Sequence, residues 1–206
     1  MLTLYTGKGT CALASHIALE EAGAAYEAVA LDMANGAQRA PDYLAINPKG
    51  RVPALVTDRG TLTETPAILA YIAQTHPASN LAPIDDPFAF AEVQAFNSYL
   101  CSTVHVAHAH GRRAGRWADD AAAISEMKRK MPEVMAACFA LIESEMFKGP
   151  WVMGDTYTIA DPYLFTIASW LEGDKVDPKQ FPKVHDHRSR MAERASVKAA
   201  VGVYVG

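Results

Sequence analysis

The stretch Arg51-Val52-Pro53-Ala54-Leu55-Val56-Thr57-Asp58-Arg59-Gly60-Thr61-Leu62-Thr63 decides the fold. Two short apolar and β-branched runs flank Asp58-Arg59-Gly60, which is hairpin-turn chemistry, so the strands they form run antiparallel. Pro53 cannot donate to a ladder and is tolerated only at the start of a strand or at an edge, which marks a special backbone position suited to a cis bond. Upstream, Asn47-Pro48-Lys49-Gly50 is turn chemistry ending a short helix that Pro41 opens and that carries Tyr43 and Leu44. Asp32 to Ala40 reads as a loop and Tyr26 to Leu31 as a strand. Further back, Leu2, Leu4 and Tyr5 form a strand and Gly7 and Gly9 a turn. Leu13, Ile17 and the small Ala14, Ala18 and Ala22 then recur at helical spacing up to Gly23. Downstream, Thr65 reads as a helix cap before a first-turn proline, with Ile68, Leu69 and Ile72 facing a core until His76-Pro77.

The order is strand, helix, strand, helix, strand, strand, helix. A helical crossover joins a parallel pair and a tight turn an antiparallel one, so these elements form a four-stranded mixed sheet covered by helices. That is the plan of a thioredoxin-like domain. Cys11 falls where the first helix begins, and unpaired N–H groups there favour an anion. It reads either as a reactive thiol or as a small apolar residue filling the corner.

Half of the 206 residues are apolar and a fifth are charged, enough to bury one large core or two smaller ones. A formal charge of −4 argues against a nucleic-acid binder. No long uncharged apolar run occurs and Met1-Leu2-Thr3 leads straight into the first strand, so neither a membrane span nor a signal peptide is expected. Cys11, Cys101 and Cys138 are scattered, odd in number and without a C-x-x-C, which fits a reducing cytoplasm.

Between Pro77 and Pro87 the composition shifts, with Asn80, Pro83 and Asp85-Asp86 breaking any periodicity. We expect a first domain at 1–77, a linker at 78–87 and an all-helical domain at 88–206. Val93, Phe96, Leu100 and Val104 form one apolar stripe of a long helix. Beside it, Gln94, Asn97, Ser98, Cys101, Ser102, His105 and His108 form a polar face that either lines a cleft or meets solvent. His105, His108 and His110 do not share one helical face and carry no clustered acid, so no metal site is expected. Arg112, Arg113 and Arg116 either sit near anionic ligands or, as the favoured reading, form a solvated basic turn. A second helix after Asp119-Asp120 buries Ile124, Met127, Met131, Val134, Cys138 and Leu141 and bends near Pro132. Thr158 to Asp161 has capping-box form before the nearly all-apolar helix of Tyr163, Leu164, Ile167, Ala168 and Leu171. A last helix opens at Phe181-Pro182 and runs through Val184, Met191 and Val197, followed by a tail from Val201.

This architecture resembles the glutathione S-transferases, and most closely their bacterial beta class, over essentially the whole chain. Leu4-Tyr5 to Cys11 and His16, Tyr43 to Gly50 with Val52-Pro53-Ala54-Leu55, and Thr63-Glu64-Thr65 to Ala67-Ile68 carry the likeness. Trp151, Gly154-Asp155 and the Thr158–Asp161 box add a fourth stretch that reports fold more than chemistry. The resemblance implies a cytoplasmic, two-fold homodimeric detoxification enzyme that joins the thiolate of glutathione, its co-substrate, to small apolar electrophiles, without a metal. It implies that Val52, before a cis Pro53, offers its backbone to the cysteinyl part, and that Glu64 and Thr65 hold the γ-glutamyl end. Cys11 and His105 match the residues facing the sulfur. Ser98 matches an Asn that reaches the neighbouring subunit's ligand, Ser102 and Asn35 are further glutathione contacts, and Tyr99, Val106 and Trp117 suit the apolar substrate. The chain departs from the pattern at Ala12, where the family has serine, and in the loop Met33 to Gln38, which lacks a lysine and which Asn35 or Gln38 could serve instead. Two other activities fit the same fold: thiol-disulfide exchange or dehalogenation through covalent Cys11, and non-catalytic binding of ligands or partners.

Overall fold

The structure is a computed structural model and describes residues 1–203; of the tail from Val201, residues 204–206 lie outside the described residues. Strands β1 (Leu2–Thr6), β2 (Tyr26–Ala30), β3 (Ala54–Thr57) and β4 (Gly60–Thr63) form one sheet in the order β2-β1-β3-β4. Leu4 lies opposite Ala28 in the parallel β1–β2 pair and opposite Leu55 in the antiparallel β1–β3 pair. The β3–β4 hairpin completes the expected mixed sheet, with Leu55 opposite Leu62. Helices α1 (Ala12–Glu21), α2 (Pro41–Ile46) and α3 (Thr65–Thr75) follow in the expected places. The Val52–Pro53 bond is cis, as the position of the proline suggests, and Gly149–Pro150 is a second cis bond that nothing in the spacing announced.

The start of α3 differs from the expectation that Thr65 caps it. Glu64 occupies the cap at φ 72° and Thr65 is already helical. The left-handed backbone at Glu64 turns the chain out of β4 one residue early.

Helix α4 (Pro87–Tyr99) is capped by Asp86, whose carboxylate accepts the N–H groups of Phe88 and Ala89 at 3.0 Å. It passes through a π-helical turn at Leu100–Val104 into α5 (His105–Arg112). Helix α6 (Ala121–Leu141) starts at Asp120 and packs against α5. A Cβ on Gly111 would sit 2.5 Å from the Met131 side chain, so this close approach depends on the glycine. The buried face of α6 is Met131, Met135, Cys138 and Phe139, whereas Val134 and Leu141, expected inside, are 37% and 44% exposed. They repeat every seven residues along a seam beside the buried one, which spacing alone does not separate.

Helix α7 (Ala160–Ala168) is the buried centre of the helical half. Its start rests on Asp161, fully buried, whose carboxylate accepts the backbone N–H groups of Val152 at 2.9 Å and Thr158 at 2.7 Å and lies 3.0 Å from His187 Nε2. The single expected last helix is two, α8 (Pro182–Ala192) and α9 (Ala195–Gly202). Arg194 between them is extended, and its guanidinium grips Glu21 at the end of α1 at 2.5 and 2.7 Å. Among the described residues no helix is long and apolar enough to cross a membrane.

Asp161→Ala strips partners from two buried N–H groups and a buried imidazole. Urea unfolding is expected to show a loss of about 3 kcal/mol or more against the wild type.

Candidate functional site

The start of α1, the Val52-Pro53 segment, the β4-to-α3 turn and the α4-to-α5 passage converge on one cavity of about 370 Å³. Each wall has a local cause. Thr10 closes the turn before α1, its hydroxyl donating to the Gly7 carbonyl at 2.7 Å, which sets Cys11 at the helix cap. Val52 precedes the paired register of β3, and Tyr43 and Asn47 pin the preceding carbonyl of Arg51 at 2.6 and 2.7 Å. The Cys11 thiol donates to the Val52 carbonyl at 3.7 Å. Glu64 and Thr65 come from the β4-to-α3 turn, and Lys49 reaches Glu64 at 2.6 Å and the Thr63 hydroxyl at 2.9 Å.

The helical half supplies Cys101, His105 and His108 to the opposite wall, with Tyr163 and Trp170 behind them. His108 stacks on Trp170 with ring centroids 4.3 Å apart, and His105 meets the same ring at 5.0 Å. Asp174, fully buried, takes His108 Nδ1 at 2.6 Å, while Arg112 lies 3.4 Å from its second oxygen. The expectation that no acid accompanies these histidines is thus corrected: the partner lies 66 residues away in sequence. His110 stands apart, stacked on Trp117 at 4.3 Å.

Burial shapes the electrostatics. It pushes the Cys11 thiol up from its ordinary value, against a hydrogen bond from Thr65 and the charge of Arg113, so Cys11 is a protonated donor at neutral pH. Of the two readings of Cys11, burial works against the one in which the helix start eases its ionisation. Burial, then the charges of His108, Arg113, Arg51 and Arg116, lower His105 to about 4, leaving its imidazole neutral. Burial and then the Glu64 carboxylate raise Cys101.

Of the residues singled out from sequence, Cys11, His105, Val52, Pro53, Glu64, Thr65, Val106 and Trp117 line this cavity. Asn35, Ser98, Ser102 and Tyr99 do not. Asn35 is held in an exposed turn, its amide donating to Asp32 at 2.6 Å, whereas Gln38 and Arg39 from the same loop do line the cavity. Ser98 and Ser102 face solvent, and the Ser102 hydroxyl donates back to the Ser98 carbonyl at 2.8 Å. Tyr99 is half-buried against the helical core beside Cys138, and burial then that thiol push its hydroxyl up to about 12. Cys101, His108, Arg113 and Arg116 were not counted as site residues. The polar helical face held the signal for the first two; the basic run held it for the arginines, and the favoured reading of that run as a solvated turn is corrected, since Arg113 and Arg116 line the cavity.

A thioredoxin-like sheet domain joined to a helical domain, with a cysteine and a cis-proline segment at their seam, defines a fold class that the comparisons with known proteins narrow. Residues 1–74 match the N-terminal domain, and residues 104–195 the C-terminal domain, of glutathione S-transferase. The chain is 32% identical over 204 residues to the glutathione S-transferase GstA of Escherichia coli O157:H7, covering 97% of each. A glutathione transferase homologue from Sulfitobacter, solved with bound glutathione, superposes with a TM-score of 0.95 at 46% identity over 98% of both chains. The beta-class glutathione S-transferase of Sphingomonas chungbukensis gives 0.85 at 33% identity over 98% of both. The chain belongs to the glutathione S-transferase family.

Because the His105 value is lowered on folding, the unfolded chain takes up a proton near pH 6.5 that the folded chain refuses until about pH 4. Stability from this group is therefore lost as pH falls through that window. Replacing His105 by Asn should reduce the loss measured by denaturant unfolding between pH 7 and 4.5 by about 2 kcal/mol.

Proposed function

We propose that this chain conjugates glutathione to small apolar electrophiles, with Cys11 serving as a hydrogen-bond donor rather than a covalent nucleophile. The observation that carries the reading is the thiol itself: buried at the floor of the cavity and donating to the Val52 carbonyl. A bound tripeptide running antiparallel to the Val52-Pro53 segment takes hydrogen bonds from that backbone, as an added strand does. Glu64 pairs with its ammonium once Lys49 turns aside, and the N-terminus of α3 with the Thr65 hydroxyl receives its α-carboxylate. Gln38 and Arg39 stand in for the missing loop lysine at the glycyl end.

The tripeptide sulfur then lies near Cys11. Its proton leaves to solvent, because His105, at about 4, is too weak a base to hold it at neutral pH. Arg113 favours the resulting thiolate through its charge, and Cys11 and His105 position it by hydrogen bonds. The thiolate attacks the electrophilic carbon and forms the carbon–sulfur bond as the leaving group departs with its electron pair. The same proposal carries a division at 1–77, 78–87 and 88–206, which the separate matches at 1–74 and 104–195 support, together with a beta-class, cytoplasmic detoxifying role and a two-fold homodimer in which exposed Ser98 on α4 approaches the partner.

Calorimetric titration of the reduced protein with glutathione tests the binding step, and Glu64→Gln should weaken it by about tenfold or more. Cys11→Ala should leave saturable binding and lower conjugation by no more than about tenfold. Loss of all activity on that substitution, with a stable mixed disulfide on Cys11 in the wild type, would favour the covalent reading instead.

A further inference from the structure

Lys8, Arg39, Lys49, Arg51, Arg113 and Arg116 line the cavity against a single carboxylate, Glu64, which Lys49 already satisfies at 2.6 Å. The excess is local, since the whole chain carries −4. Among the described residues, Arg112, Arg129, Arg188, Arg190 and Arg194 each hold a carboxylate within 4.0 Å. Of the arginines without such a partner, Arg59 sits in the β3–β4 turn, and Arg39, Arg51, Arg113 and Arg116 all face this cavity. Like charges gather there without a protein counter-ion, and Arg116 is lowered by burial first and then by Arg113, Arg51 and Arg39. Such a cluster costs stability and raises the local concentration of anions.

On the proposed reading, the glycyl carboxylate of glutathione would take up part of this charge on the sheet side, at Arg39. Arg113 and Arg116 come from the helical side, flanking the apolar surface of Val106 and Trp117, which are 37% and 48% exposed. We propose that the second substrate is an anionic electrophile whose carboxylate or comparable oxyanion is received by Arg113 and Arg116 while its apolar body rests on Trp117 and Val106. This rests on the reading of the cavity as a glutathione site, and it narrows the electrophile from any apolar compound to acids with a reactive carbon. Guanidinium groups suit the role because two planar donors can meet one carboxylate.

A matched pair of probes tests it: 4-chloro-3,5-dinitrobenzoate and its methyl ester, each rate divided by its uncatalysed reaction with glutathione. The wild type should favour the acid by about tenfold in kcat/KM, with a preference that shrinks as salt rises. The Arg113→Gln, Arg116→Gln double variant should bring the ratio towards one, and the corresponding double lysine variant, which keeps the charge without the planar fork, should keep only part of it. The ratio cancels any general loss of activity shared by both probes. Calorimetric binding of the acid probe to glutathione-free protein supplies a second arm that needs no turnover, and it should weaken by about tenfold in the glutamine variant. An ester preference in the wild type, an unchanged ratio in the glutamine variant, or equal binding of the acid by both proteins would overturn the proposal. Arginine-dependent binding of the acid, with no glutathione binding and no turnover of either probe, would instead remove the glutathione reading and leave an anion site.

Discussion

Helix α1 is buried along most of its surface, and that constraint holds the molecule together. Ala12, Ala14, Ser15, His16, Ile17, Ala18 and Leu19 are all buried, with Leu13, Glu20 and Glu21 partly so, which leaves it little solvent face. A helix buried on most faces needs cover from more than one layer. The sheet and α3 supply one side through Leu4, Leu55, Ile68 and Leu69, and α7 supplies another through Tyr163 and Leu164. Ile17 turns a third way, into a cluster with Met191, Val197 and Ala200. The alanines let these neighbours approach closely, and the Glu21–Arg194 grip fixes the far end of the helix. Its near end is Cys11, so the thiol stands where the two halves meet because the core requires α1 to be there.

The same burial decides the chemistry of the cavity floor. A thiol at a helix start in water would lose its proton more readily, but removing it from water works the other way and is the largest influence on Cys11. The neighbouring imidazole is neutralised by the same loss of water, reinforced by the cations around it. The result is a floor without charge beneath a rim of arginines. Arg113 is the link between them, since its field lowers both Cys11 and His105. That field favours an anion at the floor, where burial favours the neutral form of both protein groups.

The regular parts of the fold were legible because each rests on a short-range rule. Asp58-Arg59-Gly60 reads as a hairpin turn and Pro53 as a strand start or an edge, and the structure has the hairpin there with Pro53 just before β3. The errors fall where two short-range readings compete or where a partner is distant. Glu64 takes a left-handed backbone that no propensity suggests, displacing Thr65 from the cap. Arg194 splits one expected helix into two because it answers to Glu21, 173 residues earlier. Ser98 and Ser102 were placed on a continuous α-helical face, but the chain between them passes into a π turn and their polar groups bond locally. Cys101 and His105, four residues apart across that turn, still reach the cavity.

The two walls of the cavity therefore differ in how they are encoded. The sheet wall is built by backbone geometry, through a cap, a cis peptide and a turn, and its side chains follow from position along a few contiguous motifs. The helical wall is assembled from a π turn, the 3₁₀ segment at Ala114–Arg116 and a histidine held by an aspartate 66 residues on. Nothing local in the sequence announces that Arg113 and Arg116 will face the same space as Arg39 and Arg51. A sheet wall fixed by backbone suits a co-substrate whose peptide groups always present the same hydrogen bonds. A helical wall fixed by long side chains can change its charge and shape without disturbing the core, which is what selection among different second substrates requires.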